Sequence, residues 1–255
     1  MNIENAKNEF IKFANKYDLK FSKMKRKYEH SFRVMENAHN IAKNLNLNNE
    51  EIEIATLIGL LHDIGHFEEI RVKDILKENT KLDHGDLGVE ILQEKNYLRK
   101  YIEDDKYDNI ILNAIKNHNK FRIEDGLSTQ EFLFAKIIRD ADKLDIFYEG
   151  AEMFWKDEKQ KEEINDSKIT DKIVEMFSKN VYCDRKYIQT KADSIIVFIS
   201  AIFDINFKYN FLVLKKEDYI NRILNKFEFK DKITVSQMKQ IKETANEYVE
   251  NMLKF

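Results

Sequence analysis

The chain contains no proline and only six glycines among its 255 residues. An all-β sandwich or barrel needs many tight turns, and those turns depend on residues that tolerate a positive φ or fix φ near one value. Because such residues are so scarce here, the sequence predicts an all-α fold. The six glycines all lie between Gly59 and Gly150, so unusual backbone geometry is expected mainly in that stretch.

Helical periodicity recurs almost from end to end, with charged and amide side chains opposite isoleucine, leucine and phenylalanine. The pattern predicts helices at roughly 3–17, 23–45, 49–64, 84–95, 107–119, 129–148, 169–179, 190–213, 216–227 and 234–254. The stretch 65–83 is expected to be irregular or only briefly helical. The charged stretch 156–172 is expected to be a solvated, flexible loop.

Three of these helices can be described in more detail. Ser128 with Glu131, and Thr234 with Gln237, match capping boxes and are predicted to begin two of them. The run Ile195–Phe203 is the most apolar in the chain, but at nine residues it is much shorter than the roughly 20 that a bilayer span needs. It is predicted to be a buried core helix.

Composition excludes several functional classes. The 43 basic and 46 acidic residues nearly cancel, so neither a nucleic-acid polymer nor a membrane surface is an expected partner. The single cysteine, Cys183, excludes an intramolecular disulfide and a cysteine-based zinc module, and it suits a reducing compartment. The N-terminal residues lack the pattern of a signal peptide, so we expect a cytoplasmic protein.

Two ionisable residues follow an apolar helix directly. His62 and Asp63 come after the run ATLIGLL, and Gly65 follows them. Burying both side chains without a partner would cost several kcal/mol, and a divalent cation would satisfy both. Asp142 is the second such case, because it borders the apolar stripe of its helix. It is either a similar ligand or the partner of Arg139 or Lys143 in a buried salt bridge.

The order His30, then His62-Asp63, then Asp142 resembles the H…HD…D pattern of the HD-domain superfamily of metal-dependent phosphohydrolases. The resemblance covers roughly residues 25–150 and includes the motifs LLHDIGH and IIRDADKLD. It implies a compact multi-helix bundle in which these four residues bind a metal. We predict one HD-type domain over 1–255, with a metal-binding core at about 25–150 and a C-terminal helical extension at about 169–255.

Two further histidines lie where the two-metal members of the superfamily, including the HD-GYP phosphodiesterases, have ligands. The resemblance implies that His84 and His118 bind a second ion and that Asp63 bridges the two. The cofactor would then be about two divalent transition metals per chain, from among Mn, Fe, Co, Ni and Zn. Otherwise His84 and His118 are helix-capping or core histidines. His39 lies nine residues after His30, about 180° around the helix, and is predicted to be on the surface.

The motif HDIGH departs from related patterns at His66. It resembles the HExxH of metalloproteases, but Gly65 opposes the continuous helix which that site needs. The (p)ppGpp hydrolases carry HDxxED and the HD-GYP proteins carry HDIGK, and no GYP triplet occurs in this chain. Both of those substrate assignments therefore lose support.

The predicted function is hydrolysis of a small-molecule phosphate ester, with nucleotides among the candidates. Asp63, His66 as a proton relay and Lys143 are the predicted catalytic residues, and the predicted substrate-binding cations are Arg33, Lys120 and Arg139. Ordinary surface salt bridges are the alternative for these cations. The alternative function is that of a diiron oxygenase, as in myo-inositol oxygenase, and a third is a sensor that binds metal or nucleotide without turnover.

Overall fold

A computed structural model describes residues 2–76 and 82–254 of the chain. Over these residues it contains helices and no β-strand, so the predicted all-α fold is confirmed. The α-helices are α1 (Ile3–Ala14), α2 (Ser22–Asn44), α3 (Asn49–Leu61), α4 (Ile64–Leu76), α5 (His84–Gln93), α6 (Asp108–Asn117), α7 (Thr129–Glu152), α8 (Glu158–Asn165), α9 (Asp171–Ser178), α10 (Lys191–Ile199), α11 (Lys208–Lys216), α12 (Tyr219–Leu224) and α13 (Lys232–Lys254).

The chain forms two compact units, one up to Asp145 and one from Ile146 onward. The boundary between them lies within α7. The assignment of both units to a single HD-type domain stays a prediction.

In the first unit, α2 packs against α3 and α4 packs against α5. The close approach of α3 to α2 depends on Gly59, where an added Cβ would lie 2.8 Å from the Cα of Met35 and 2.9 Å from the carbonyl oxygen of Val34. Gly65, at the start of α4, similarly lies against the backbone of His84 and Gly88. Small residues at these points allow the backbones that carry the site to approach each other.

Helix α4 corrects the expectation that residues 65–83 are irregular or only briefly helical. The segment is helical to Leu76, while residues 77–81 lie outside the described part of the chain. Phe67 anchors this helix, because its fully buried ring packs against Phe10, Phe13 and Tyr17. The segment contains good helix formers and no proline, so nothing in its sequence opposes the helix once this ring is buried.

In the second unit, the apolar run Ile195–Phe203 is largely buried, as predicted, but it is not part of one helix over 190–213. Helix α10 ends at Ile199, and α11 begins only at Lys208. The buried hydroxyl of Ser200 donates to the carbonyl of Val197 at 2.7 Å and accepts from the backbone N–H of Cys183 at 2.9 Å. Serine hydroxyls that bond the backbone in this way compete with helix continuation. Among the described residues, no helix is long and apolar enough to cross a membrane.

The prediction of a loop at 156–172 is wrong, because α8 lies within it. Asp157 caps α8 by accepting from the backbone N–H of Gln160 at 2.8 Å, and Ile164 is 3% exposed. The side chain of Asp157 therefore caps the first turn of α8, and the buried side chain of Ile164 packs the helix into the core of the second unit.

Of the two predicted capping boxes, one is confirmed and one is wrong. Ser128 and Glu131 exchange both expected hydrogen bonds, at 2.7 and 3.2 Å. Helix α13 instead begins at Lys232, two residues before Thr234. Asp231 accepts there from the backbone N–H of Thr234 at 3.0 Å.

Candidate metal centre

The break between α3 and α4 presents His62 and Asp63 to the interior of the first unit. Both are buried, with His62 at 0% and Asp63 at 2% exposure. The Nδ1 of His62 lies 2.8 Å from the carbonyl oxygen of Gly59. A carbonyl oxygen only accepts hydrogen bonds, so Nδ1 carries the proton and Nε2 offers a lone pair. Burial lowers the pKa of His62 to about 3, so this ring is neutral.

Four predicted ligands come together around His62, and we call them the first cluster: His30, His62, Asp63 and Asp142. The Nε2 of His30 lies 3.2 Å from the Nε2 of His62, 3.1 Å from Oδ1 of Asp142 and 3.5 Å from Oδ2 of Asp63. The alternative of a salt bridge from Asp142 to Arg139 or Lys143 was left open by the sequence. In the structure, Oδ1 of Asp142 lies 3.1 Å from the Nε2 of His30 and 3.8 Å from the Nε2 of His62.

The other oxygen of Asp63 faces a second cluster, formed by Asp63, His84 and His118. Oδ1 of Asp63 lies 3.5 Å from the Nε2 of His84 and 3.4 Å from the Nε2 of His118. The Nδ1 of His118 lies 2.6 Å from the carbonyl oxygen of Ile115, so in the neutral ring the proton lies on Nδ1 and Nε2 offers a lone pair. That Nε2 is buried and lacks a well-aligned hydrogen-bond partner among the described residues. Such an orphaned lone pair suits a metal ligand.

The electrostatics of these residues favour cation binding. Burial alone would raise the pKa of Asp63, but the ammonium of Lys27, 2.7 Å from Oδ2, holds that pKa well below its usual range. Burial lowers the pKa of His84 to about 4. The shared carboxylate is therefore ionised and His84 neutral at neutral pH, which are the forms that bind metals.

His30 differs from the other histidines. Burial would lower its pKa, but contacts with the carboxylates of Asp142 and Asp145 raise the pKa to about 9. At neutral pH it therefore carries a proton on Nε2 that must leave when a cation binds there. Binding at the first cluster is thus coupled to proton release.

Asp145 orients His30, a role that the sequence reasoning missed. Its Oδ2 lies 2.6 Å from the Nδ1 of His30, and its side chain is 2% exposed. Arg33, predicted to bind substrate, holds the same carboxylate with two donors, at 2.6 Å from Oδ1 and 2.9 Å from Oδ2. The sequence does contain a signal for this role of Asp145: it lies three residues after Asp142, about one helical turn, and so on the same side of the helix.

Lys120, also predicted to bind substrate, connects the two elements that carry the second cluster. Its ammonium lies 2.7 Å from Oδ2 of Asp83 and 2.8 Å from Oδ2 of Asp86. Asp83 caps α5, whose first residue is His84, while Lys120 follows His118 by two positions. The ion pairs therefore hold the two ligand-bearing segments together, and the substrate role of Lys120 stays a prediction.

Arg139 and Lys143 are buried on α7, at 4% and 8% exposure. The guanidinium of Arg139 donates to the carbonyls of Asn117 at 3.1 Å and Phe121 at 3.4 Å, which braces the turn after α6. The ammonium of Lys143 lies 3.5 Å from the carbonyl oxygen of Arg139. The proposed substrate and catalytic roles of these two residues stay predictions.

His66 and His39 occupy different surroundings. His66 lies beside the second cluster, with its ring 4.5 Å from that of His84. His39 is half-buried, has its Nδ1 3.2 Å from the hydroxyl of Thr56, and belongs to neither cluster. The protease-like arrangement does not form, because α4 begins only after His62 and so does not join it to His66 in one helix. The interruption lies at His62 and Asp63, not at Gly65 as expected.

We expect His84→Ala and His118→Ala each to lower the metal content from about two ions per chain toward one, since each removes a ligand of the second cluster only. Elemental analysis after reconstitution with Mn²⁺ or Zn²⁺ measures this, and His39→Ala is the matched histidine control. One ion in the wild-type chain, unchanged in both variants, would contradict a two-ion centre.

A comparison with known protein families agrees with this geometry. Residues 28–146 match the family model described as HD domain. No match was found among curated proteins or among solved structures. The matched segment includes every residue of the first and second clusters. This segment of the chain is therefore similar to an HD domain.

Proposed function

We propose that this protein is a metal-dependent phosphohydrolase that uses two divalent cations to hydrolyse a small-molecule phosphate ester. The observation that supports it best is the position of Asp63. One of its oxygens lies 3.5 Å from each of His30 and His62, and the other lies 3.4–3.5 Å from His118 and His84. A carboxylate placed in this way can bridge two cations.

In this proposal, His30, His62 and Asp142 hold one cation, His84 and His118 hold the other, and Asp63 serves both. Imidazole and carboxylate donors suit Mn, Fe, Co, Ni or Zn. Such ions, when bound, polarise a phosphoryl oxygen and lower the pKa of a coordinated water to near neutrality. The match to the HD domain supports the same class of cofactor.

Cationic side chains at the site support an anionic substrate. Lys27 lies on α2, three residues before His30, and its ammonium is 2.7 Å from Asp63 while 19% of its side chain is exposed. Arg33, 25% exposed, lies on the same helix. We assign Lys27 and Arg33 to the non-bridging oxygens of the phosphate, where positive charge stabilises the negative charge of the transition state. Lys143 stays a catalytic candidate.

His66 is the proposed proton donor to the leaving oxygen. Its ring lies next to that of His84, and 21% of its side chain is exposed, so it borders both the second cluster and solvent. Imidazole is suited to proton transfer near neutral pH.

The test is a screen of the chelator-treated protein, reloaded separately with Mn²⁺, Fe²⁺, Co²⁺, Ni²⁺ and Zn²⁺, against a panel of phosphoesters that includes nucleotides. We expect phosphate release with at least one metal that is redox-inert under the assay conditions. Activity that requires both iron and dioxygen, with no phosphate release, would contradict the proposal and support the diiron oxygenase. Two bound ions with no turnover under either condition would favour the sensor.

A further inference from the structure

A carboxylate and an imidazole meet beside the second cluster without a well-aligned hydrogen bond between them. Glu69 on α4 is buried, with its side chain 6% exposed, and its Oε2 lies 2.7 Å from the Nδ1 of His66. Both atoms are shielded from solvent, and neither has a well-aligned hydrogen-bond partner among the described residues. Buried polar atoms without partners are costly, so this pair calls for a third group that satisfies both.

His84 adds a third donor atom to this pair. Its Nδ1 lies 3.3 Å from the same Oε2 of Glu69, and its ring is 4.5 Å from that of His66. Each of the three residues can offer one ligand atom within 4.8 Å of the other two. Two donor atoms bound to one Zn²⁺ at about 2.1 Å are roughly 3.0–3.4 Å apart. The measured distances of 2.7 and 3.3 Å are therefore close to those between ligands of a single ion.

We propose that His66, Glu69 and His84 form a third cation site, next to the second cluster and suited to Zn²⁺. Imidazole nitrogens and carboxylate oxygens are ligands that Zn²⁺ commonly takes. His84 serves both places, because its Nε2 faces Asp63 at 3.5 Å while its Nδ1 faces Glu69. An imidazole that binds ions through both nitrogens must release its remaining proton to solvent, so the third ion is expected to bind more weakly than the other two.

The ammonium of Lys73 is the group that a cation at this site would replace. It lies 2.5 Å from Oε1 of Glu69, and 39% of the lysine side chain is exposed, so it can move into solvent. A carboxylate beside an ammonium is ionised at neutral pH, which is the form that binds metal. The alternative is that Glu69 and Lys73 form only an i,i+4 ion pair that supports α4. Removing Lys73 should strengthen a cation site, whereas an ion pair alone gives no third binding step.

A third ion would act on hydrolysis through His66, and this part of the inference rests on the proposed function. There His66 is the proton donor to the leaving oxygen. An imidazole that binds a cation cannot also become the imidazolium that donates a proton near neutral pH. Zn²⁺ beyond two ions per chain is therefore expected to inhibit phosphate release.

The experiment is a calorimetric titration of the full-length, metal-free protein with Zn²⁺ alone, in which we expect two tight binding steps and a weaker third. Glu69→Gln should weaken the third step by more than about 100-fold and leave the two tight steps in place, because loss of a partner that only orients a ligand already costs about 10- to 100-fold. Lys73→Ala should strengthen the third step by roughly two- to fivefold, which is the worth of an exposed ion pair. Glu68→Gln is the matched control, since that neighbouring carboxylate pairs with Arg71, and it should change no step.

Fewer than three binding steps in the wild-type chain, a third step that is unchanged in Glu69→Gln, or a third step that Lys73→Ala weakens as much as Glu69→Gln does would overturn the proposal. Should Glu69→Gln fail to fold, anomalous scattering at the zinc edge from zinc-soaked crystals of the wild-type protein gives the same answer. It should show an ion bound to Oε2 of Glu69 and Nδ1 of His66, and zinc at the first and second clusters alone would refute the site.

The site and the proposed function fail separately. Three bound ions in a protein that releases no phosphate with any metal would refute the proposed function and leave the third site intact. Full phosphate release with three ions bound would refute the inhibitory role of the third ion.

Discussion

Asp63→Ala is expected to abolish the binding of both cations and to lower phosphoester hydrolysis by on the order of 10³-fold or more. Among the described residues, Asp63 supplies the only carboxylate whose two oxygens face both clusters, and the substitution also removes its contact with Lys27 at 2.7 Å. Metal ions supply several kcal/mol of transition-state stabilisation, and each 1.4 kcal/mol or so corresponds to a factor of ten in rate. Elemental analysis and phosphate release measure the two effects.

The matched control is Asp74→Ala, which removes an exposed aspartate on α4. It should leave both metal content and activity unchanged. Full activity of Asp63→Ala would refute the metal centre itself, because no other residue of the two clusters faces both groups of histidines.

His30→Ala is expected to lower activity by more than about 100-fold, whereas His39→Ala leaves it intact. The two histidines lie on the same helix, but only His30 faces the first cluster, with its Nε2 3.1 Å from Asp142. Loss of a partner that merely orients a ligand already costs 10- to 100-fold in affinity or activity, so loss of the ligand should cost more.

Activity and metal affinity of the two variants are compared at one pH, with thermal unfolding as a check that both fold. His39→Ala removes only a contact to the hydroxyl of Thr56, at 3.2 Å, so a small loss of stability is the largest expected effect. Equal losses of activity in the two variants would show that the orientation of α2 is wrong.

Local sequence signals predicted those features that depend on neighbouring residues. The scarcity of proline and glycine excluded an all-β sandwich or barrel, and the helical period separated His30 from His39 on α2. The capping box at Ser128 is a contact between residues three apart, and it formed as expected. Helix α4 was missed because its stability depends on the burial of Phe67 against α1, a contact that local pattern does not contain.

By itself, the sequence determined the helical class, the order of the candidate ligands along the chain and the face of α2 that carries His30. Only the tertiary structure decided which atoms meet: the two oxygens of Asp63 on separate clusters, and Asp145 behind His30. Asp145 and His30 are 115 residues apart, so their contact depends on how α7 packs against α2. Helical periodicity specifies which side of a helix is buried, whereas the packing of side chains between helices selects the partner that each polar atom finds there.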